Sequence, residues 1–167
     1  AGALVLESEV AQKVAGALTL KLLPEERTHL AAARAVNPDA YDAYLKGSQY
    51  WTRLTAADLD TAERYFNLGL EKDPTFAPAH AGLAMVWACR QQMGFAPPSE
   101  AGPKAKAEAR RALELDDTVA LAHLALAGLL TWTDWDFPAA GREWVRTIEL
   151  DPGDFELEVK LPNVPDG

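Results

Sequence analysis

The stretch LEKDPTFAPAH at residues 70–80 recurs as LELDDTVALAH at residues 113–123, 43 positions later and without a gap, with seven of eleven positions identical. The flanks agree too: Gly82, Leu83 and Ala84 are answered by Ala125, Leu126 and Ala127. No other feature restricts the fold as much. Self-similarity at this period requires one supersecondary unit to be built repeatedly and stacked on itself, because a single unit cannot bury its apolar face alone.

The punctuation around the repeat is helical. Asn37 can cap, and Pro38 can open, a helix reaching about residue 54. Thr55 with Asp58 three residues on resembles a capping box and launches a helix to about residue 72, where Asp73-Pro74 stops it. A third helix is expected over about 76–91. Gly94, Pro97, Pro98, Gly102 and Pro103 then predict a long loop over 92–103 before a helix that ends at Leu115. Thr118 is expected to cap a helix to about residue 133, and Asp136 one from Phe137 to Leu150. The fold class is therefore all-α, with six helices forming three hairpins. Small residues recur where paired helices must approach closely: Ala62 and Gly69, Ala105 and Ala112, Ala140 and Thr147.

The ends read differently. Two leading helices are expected, over about 3–22 and from Pro24 to about Val36, so that residues 1–37 form a linker from an upstream domain. In residues 153–167, Phe155, Leu157, Val159 and Leu161 alternate with polar residues as in a strand, and Pro162 and Pro165 exclude a helix. Such a tail is expected either to be a loose chain end or to lie in the molecule's own groove or a neighbour's, giving self-association.

Charge and motif content remove several function classes. Twenty-five acidic against sixteen basic residues give a net charge of −9, which repels nucleic acid backbones. The stripe Lys104, Lys106, Arg110, Arg111 is better read as a solvated helix face than as a phosphate site. No run of 18 apolar residues is present to insert in a membrane. A lone cysteine, Cys89, leaves the compartment open, with the cytoplasm favoured, and its position suggests a buried, inert thiol. His80 and His123 occupy equivalent places in successive units, roughly 10 Å apart in stacked hairpins, too far for one metal to bridge. They are expected to pack rather than ligate. The string TWTDWDF at 131–137 carries acids among aromatics, as glycosidases do, but Asp136 stands where a helix cap is needed and Asp134 in the same turn. The dinucleotide, P-loop, zincin, nucleophile-elbow and CxxC signatures are all missing. No enzyme, cofactor or metal is expected.

The second helices of the three hairpins read AERYFNLGLEKDP from Ala62, AKAEARRALELDD from Ala105 and AAGREWVRTIELDP from Ala139. The first helices carry Gly47 with Tyr50, Ala84 with Trp87, and Ala127 with Leu130. This order of small and aromatic residues resembles the tetratricopeptide repeat, over about 38–74, 75–117 and 118–152; the copies exceed the family's 34-residue unit, chiefly after Gln91. The lead-in LTLKLLPEERTHLAAARAVNPDAYDAYLKGSQYW resembles the segment preceding such repeats in large bacterial signalling proteins fused to a cyclase, kinase or winged-helix regulator.

The resemblance implies a right-handed superhelix with two leading helices, whose first helices line a concave groove for a protein or peptide. The family's groove positions fall on Tyr41, Tyr44, Ser48, Trp51, Met85, Cys89, Leu121, Leu124, Thr131 and Trp132. Tyr44, Ser48, Gly82, Leu121 and Ala125 stand where chaperone-binding relatives carry a carboxylate clamp, so an apolar peptide or helix is the expected occupant. The alternative reading is an all-helical small-ligand sensor, with the 92–103 loop closing over a pocket near Trp87 and Met93.

Overall fold

A computed structural model describes residues 36–152. The expected leading helices and the alternating tail lie outside the described residues. Within them the chain is all-helical: α1 Pro38–Trp51, α2 Ala56–Lys72, α3 Ala77–Gln92, α4 Pro98–Leu115, α5 Ala120–Leu129 with a five-residue π turn Leu130–Asp134, and α6 Phe137–Leu150. Each helix packs on its successor, most extensively within the pairs α1–α2, α3–α4 and α5–α6; α3 also touches both α1 and α5.

The caps explain where these helices start. The Asn37 side chain accepts from the backbone N–H groups of Asp39 and Ala40, and its amide donates to the Lys72 carbonyl, tying the start of α1 to the end of α2. Thr55 accepts from the Asp58 N–H at 3.1 Å, and Asp136 from the Ala139 N–H at 3.1 Å. Asp73 and Asp116 close α2 and α4 with the same device: each carboxylate accepts both the N–H and the hydroxyl of the threonine two residues on, Thr75 and Thr118. This turn gives the repeated string its shared D-x-T.

Three boundary expectations are corrected. Thr118 does not cap α5; its hydroxyl is committed to Asp116, and Val119 takes the cap position without a side-chain bond. The 92–103 loop shrinks to residues 93–97, because α4 starts at Pro98 and runs through Gly102 and Pro103. Pro98 fits a helix first turn, and Gly102, lacking a Cβ, avoids the clash that normally keeps a pre-proline residue out of the helical region. Finally, α1 stops at Trp51, short of residue 54, because Leu54 takes a left-handed φ of 56° that a helix cannot continue through.

Phe66 anchors the interior. It is fully buried with Leu59, Ala62, Leu83 and Val86, and its ring lies against two glycines of different hairpins. A Cβ on Gly47 would sit 2.6 Å from the ring, and one on Gly82 2.5 Å from it. Gly69 fits beside the Ala40 carbonyl, with Ala43 and Ala79 next to it. Between α3, α4 and α5 the contacts are alanine on alanine, with Ala81, Ala112 and Ala122 in one cluster and Ala84, Ala109 and Ala125 in another.

Gly82→Ala should therefore destabilise the fold by about 1–3 kcal/mol, since a ring enclosed on both sides cannot yield. Adding Phe66→Leu should make the effect of Gly82→Ala smaller than in the wild-type background. Urea melts of the two single variants and the double variant measure the coupling, and strict additivity would refute the wedge.

Candidate functional site

Nine of the ten positions expected to line a groove divide into three groups; Ser48 lies beside Tyr44. Tyr44, Trp51, Met85 and Cys89 share the Phe66 cluster, while Tyr41 and Tyr44 also pack on Phe76, whose ring lies edge-on at 6.5 and 5.8 Å. Tyr41 and Tyr44 stand 6.3 Å apart. Leu121 packs on the Ala81 cluster, and Leu124 is half-buried on the same helix. Thr131 and Trp132 belong to the third hairpin, where both meet Trp144: its indole N–H donates to the Thr131 hydroxyl at 3.2 Å, and its ring lies edge-on to Trp132 at 6.1 Å. The first and second groups thus form part of the packing, and Trp132 stands apart at 58% exposure.

Burial pushes the Tyr44 phenol above the ordinary tyrosine range. The Ser48 hydroxyl oxygen is buried and meets no partner with good hydrogen-bond geometry, yet it lies close enough to Tyr44 to pull the phenol back by less.

Polar ties repeat from unit to unit. His80 Nδ1 of α3 lies 2.6 Å from Glu108 Oε2 of α4, and His123 Nδ1 of α5 lies 2.6 Å from Glu143 Oε2 of α6. His123 Nε2 also meets the Asp117 carbonyl at 3.1 Å. The histidines are packing residues, as expected, and each clamps its own hairpin. The glutamates escaped the sequence reading, although Glu108 and Glu143 each lie three residues after the small residues Ala105 and Ala140, a co-repetition that marks them as their partners. Arg90 is buried at the end of α3, where it bridges Asp60 at 2.6 Å and Glu63 at 2.7 Å on α2. Among the described residues no group of three His, Cys, Asp or Glu is placed to hold a metal.

The lid expected over Trp87 is not a loop. The Arg90 guanidinium lies over the Trp87 ring at 4.5 Å and the Lys104 ammonium at 3.9 Å, and residues 98–103 are helical rather than a lid. A cleft of about 230 Å³ opens between the second and third hairpins, lined by Ala88, Gln91, Pro98, Leu129, Trp132 and Thr133 among others. Gln91 donates to the Thr133 hydroxyl at 2.5 Å across it, joining the ends of α3 and π turn.

All three turns within hairpins contain a residue with positive φ: Leu54 at 56°, Gly94 at 74° and Trp135 at 57°. Glycine accepts this freely, whereas a leucine or tryptophan pays roughly 1–2 kcal/mol for it. Trp135 follows the π turn, whose first carbonyl, on Leu130, accepts from both Trp135 and Asp136. Trp135 is 69% exposed, with Phe137 edge-on at 6.1 Å. Asp134 is ion-paired to Lys106 at 2.6 Å.

No family model matches the chain. It is similar to a protein of Rhizobium meliloti (strain 1021) named "Putative adenylate cyclase 3", at 28% identity over 130 residues. The match takes in 76% of this chain and 22% of the relative, so the chain spans about a fifth of that protein's length. The similarity is weak. Among the described residues no helix is long and apolar enough to cross a membrane.

Cys89 can be tested without any partner. Burial pushes its thiol above the usual value of about 8.5, which suppresses the reactive thiolate. At pH 8 the folded protein should react with a disulfide reagent at least ~100-fold more slowly than the chain in urea. Because the folded-state value is the raised one, the thiol's contribution to stability is intact below about pH 8.5 and lost as pH rises through the folded value. The urea midpoint of the wild type should then fall more steeply than that of Cys89→Ala above that pH. Equal reactivity of folded and unfolded chains would place the thiol at the surface.

Proposed function

We propose that residues 38–152 are three tetratricopeptide-like repeats in a right-handed superhelix, serving as a non-catalytic docking module within a larger bacterial signalling or regulatory protein. The observation that carries this reading is the repetition of structure along with sequence. The second and third hairpins share the same aspartate-threonine turn and the same His–Glu clamp at the same distance. Units of one design, each packed on the next, generate an extended surface rather than a closed active site. The relative's printed name and the small share of its length that is matched support a place beside a cyclase rather than within one.

The groove offers half-buried Tyr41, Met85, Leu121 and Leu124 in succession across α1, α3 and α5. Such a stripe suits an apolar peptide or amphipathic helix: rigid rings give contact area at little entropic cost, and methionine adapts its shape.

Peptides selected from a random library against the whole chain provide the test. Tyr41→Ala and Leu124→Ala should each weaken the selected peptide by about 1–2 kcal/mol, roughly 5- to 30-fold, without abolishing cooperative unfolding. Selected peptides that bind both variants as tightly as the wild type would rule the groove out.

A further inference from the structure

The three turns within hairpins lie along one edge of the molecule. Arg90 brings the end of α3 to the first turns of α2, and the Gln91–Thr133 bond brings it to the turn after α5. This edge displays large apolar side chains: Leu54 in the first turn, Met93 and Phe95 in the second, Trp132, Trp135 and Phe137 in the third, all between 39% and 69% exposed. The turns between hairpins, by contrast, are built from Asp73, Thr75, Asp116, Asp117 and Thr118. Two of the three left-handed positions carry Leu54 and Trp135 where glycine would be free of strain. Backbone strain that holds a bulky apolar side chain out in water points to a surface kept for contact.

The charge along the edge says what kind of contact. One buried cation, Arg90, is shared by Asp60 and Glu63, and Asp136 makes no ion pair among the described residues. Lys104, Lys106 and Arg53 are already paired, with Glu100, Asp134 and Asp58, and the Arg142 guanidinium is turned onto the Pro138 carbonyl. The edge is therefore left with surplus carboxylate in a chain whose net charge is already −9. The cleft beside Trp132 supplies a recess for one apolar side chain, with the Gln91 and Thr133 polar groups in its wall.

We propose that this edge is a second recognition surface, separate from the groove, which takes a partner peptide segment carrying an apolar anchor flanked by lysine or arginine. The anchor enters the cleft against Trp132, Trp135 and Phe95 cover it, and the flanking cations face the carboxylates.

A fluorescein-labelled 16-residue amphipathic peptide of leucine and lysine, titrated into the full chain by anisotropy, tests this. Its leucine–glutamate counterpart and a lysine–serine peptide serve as controls. The leucine–lysine peptide should bind, and should weaken as salt is raised, while both controls bind at least ~10-fold more weakly. Trp135→Gly should leave the melting temperature unchanged or higher, since it removes left-handed strain, and should still weaken binding ~10-fold. Trp132→Ala should also weaken it, and the groove variant Leu124→Ala should not. Loss of binding in Leu124→Ala alone would move this peptide to the groove, overturning the edge surface while leaving the docking module intact. Equal binding of the leucine–glutamate peptide would overturn the charge argument. Binding to phosphatidylglycerol vesicles in place of the peptide would make the edge a lipid contact. Acrylamide quenching that is identical in wild type and Trp135→Gly would show the tryptophan covered by the chain's own residues 1–35 or 153–167, and the proposal would fall.

Discussion

The contact of one phenylalanine ring with two glycines sets the spacing of the first two hairpins. Phe66 belongs to α2, Gly47 to α1 and Gly82 to α3, so a single side chain fixes the approach within one hairpin and between it and the next. Without a Cβ on either glycine, the helices come close enough to bury the whole ring, a gain of about 1.5–3 kcal/mol for that side chain alone. The same closeness makes the site intolerant: interiors pack at crystal density and have no slack to absorb a methyl group. Beyond Phe66 the scheme changes. At the equivalent place α4 has Ala109 and α6 has Trp144, so α3, α4 and α5 meet through alanines and the third hairpin closes around an indole.

Polar groups complete what small residues begin. The His–Glu clamps connect the two helices of the second and third hairpins, whereas Arg90 connects the second hairpin back to the first. A hydrogen bond to a charged group contributes about 1.5–3 kcal/mol net, and a partner removed from a buried site leaves its mate unsatisfied at greater cost. These ties therefore fix the alignment of the helices they join.

The two proposed surfaces differ in their physics. Of the proposed groove positions on α1 and α3, Tyr41, Tyr44, Trp51 and Met85 are half-buried and Cys89 is buried, all packed on the core, a firm, preformed face. The turn edge is more exposed and holds left-handed Leu54 and Trp135, conformations that the surrounding helices enforce. A firm face limits the ordering that binding must impose, and a strained aromatic turn keeps contact area in place before a partner arrives.

Local signals were sufficient for much of this architecture. The repeat of 70–80 in 113–123, the capping pairs Asn37, Thr55–Asp58 and Asp136, and the Asp-Pro stop at 73–74 locate six helices and their pairing, because caps and turns depend on residues within a few positions of one another. Tertiary structure alone decided the rest. Packing of the buried Ala101, Gly102 and Ala105 against α3 carried α4 through Pro103, where local propensity called for a loop. Arg90 and Lys104, from different helices, met over the Trp87 ring, while the cleft formed between residues about forty positions apart. Whether a groove residue such as Tyr44 or Trp132 turned to the core or to water likewise depended on what the neighbouring hairpin placed beside it. A period of 3.6 tells which side chains share a helical face; only the arrangement of neighbouring helices determines which face is covered.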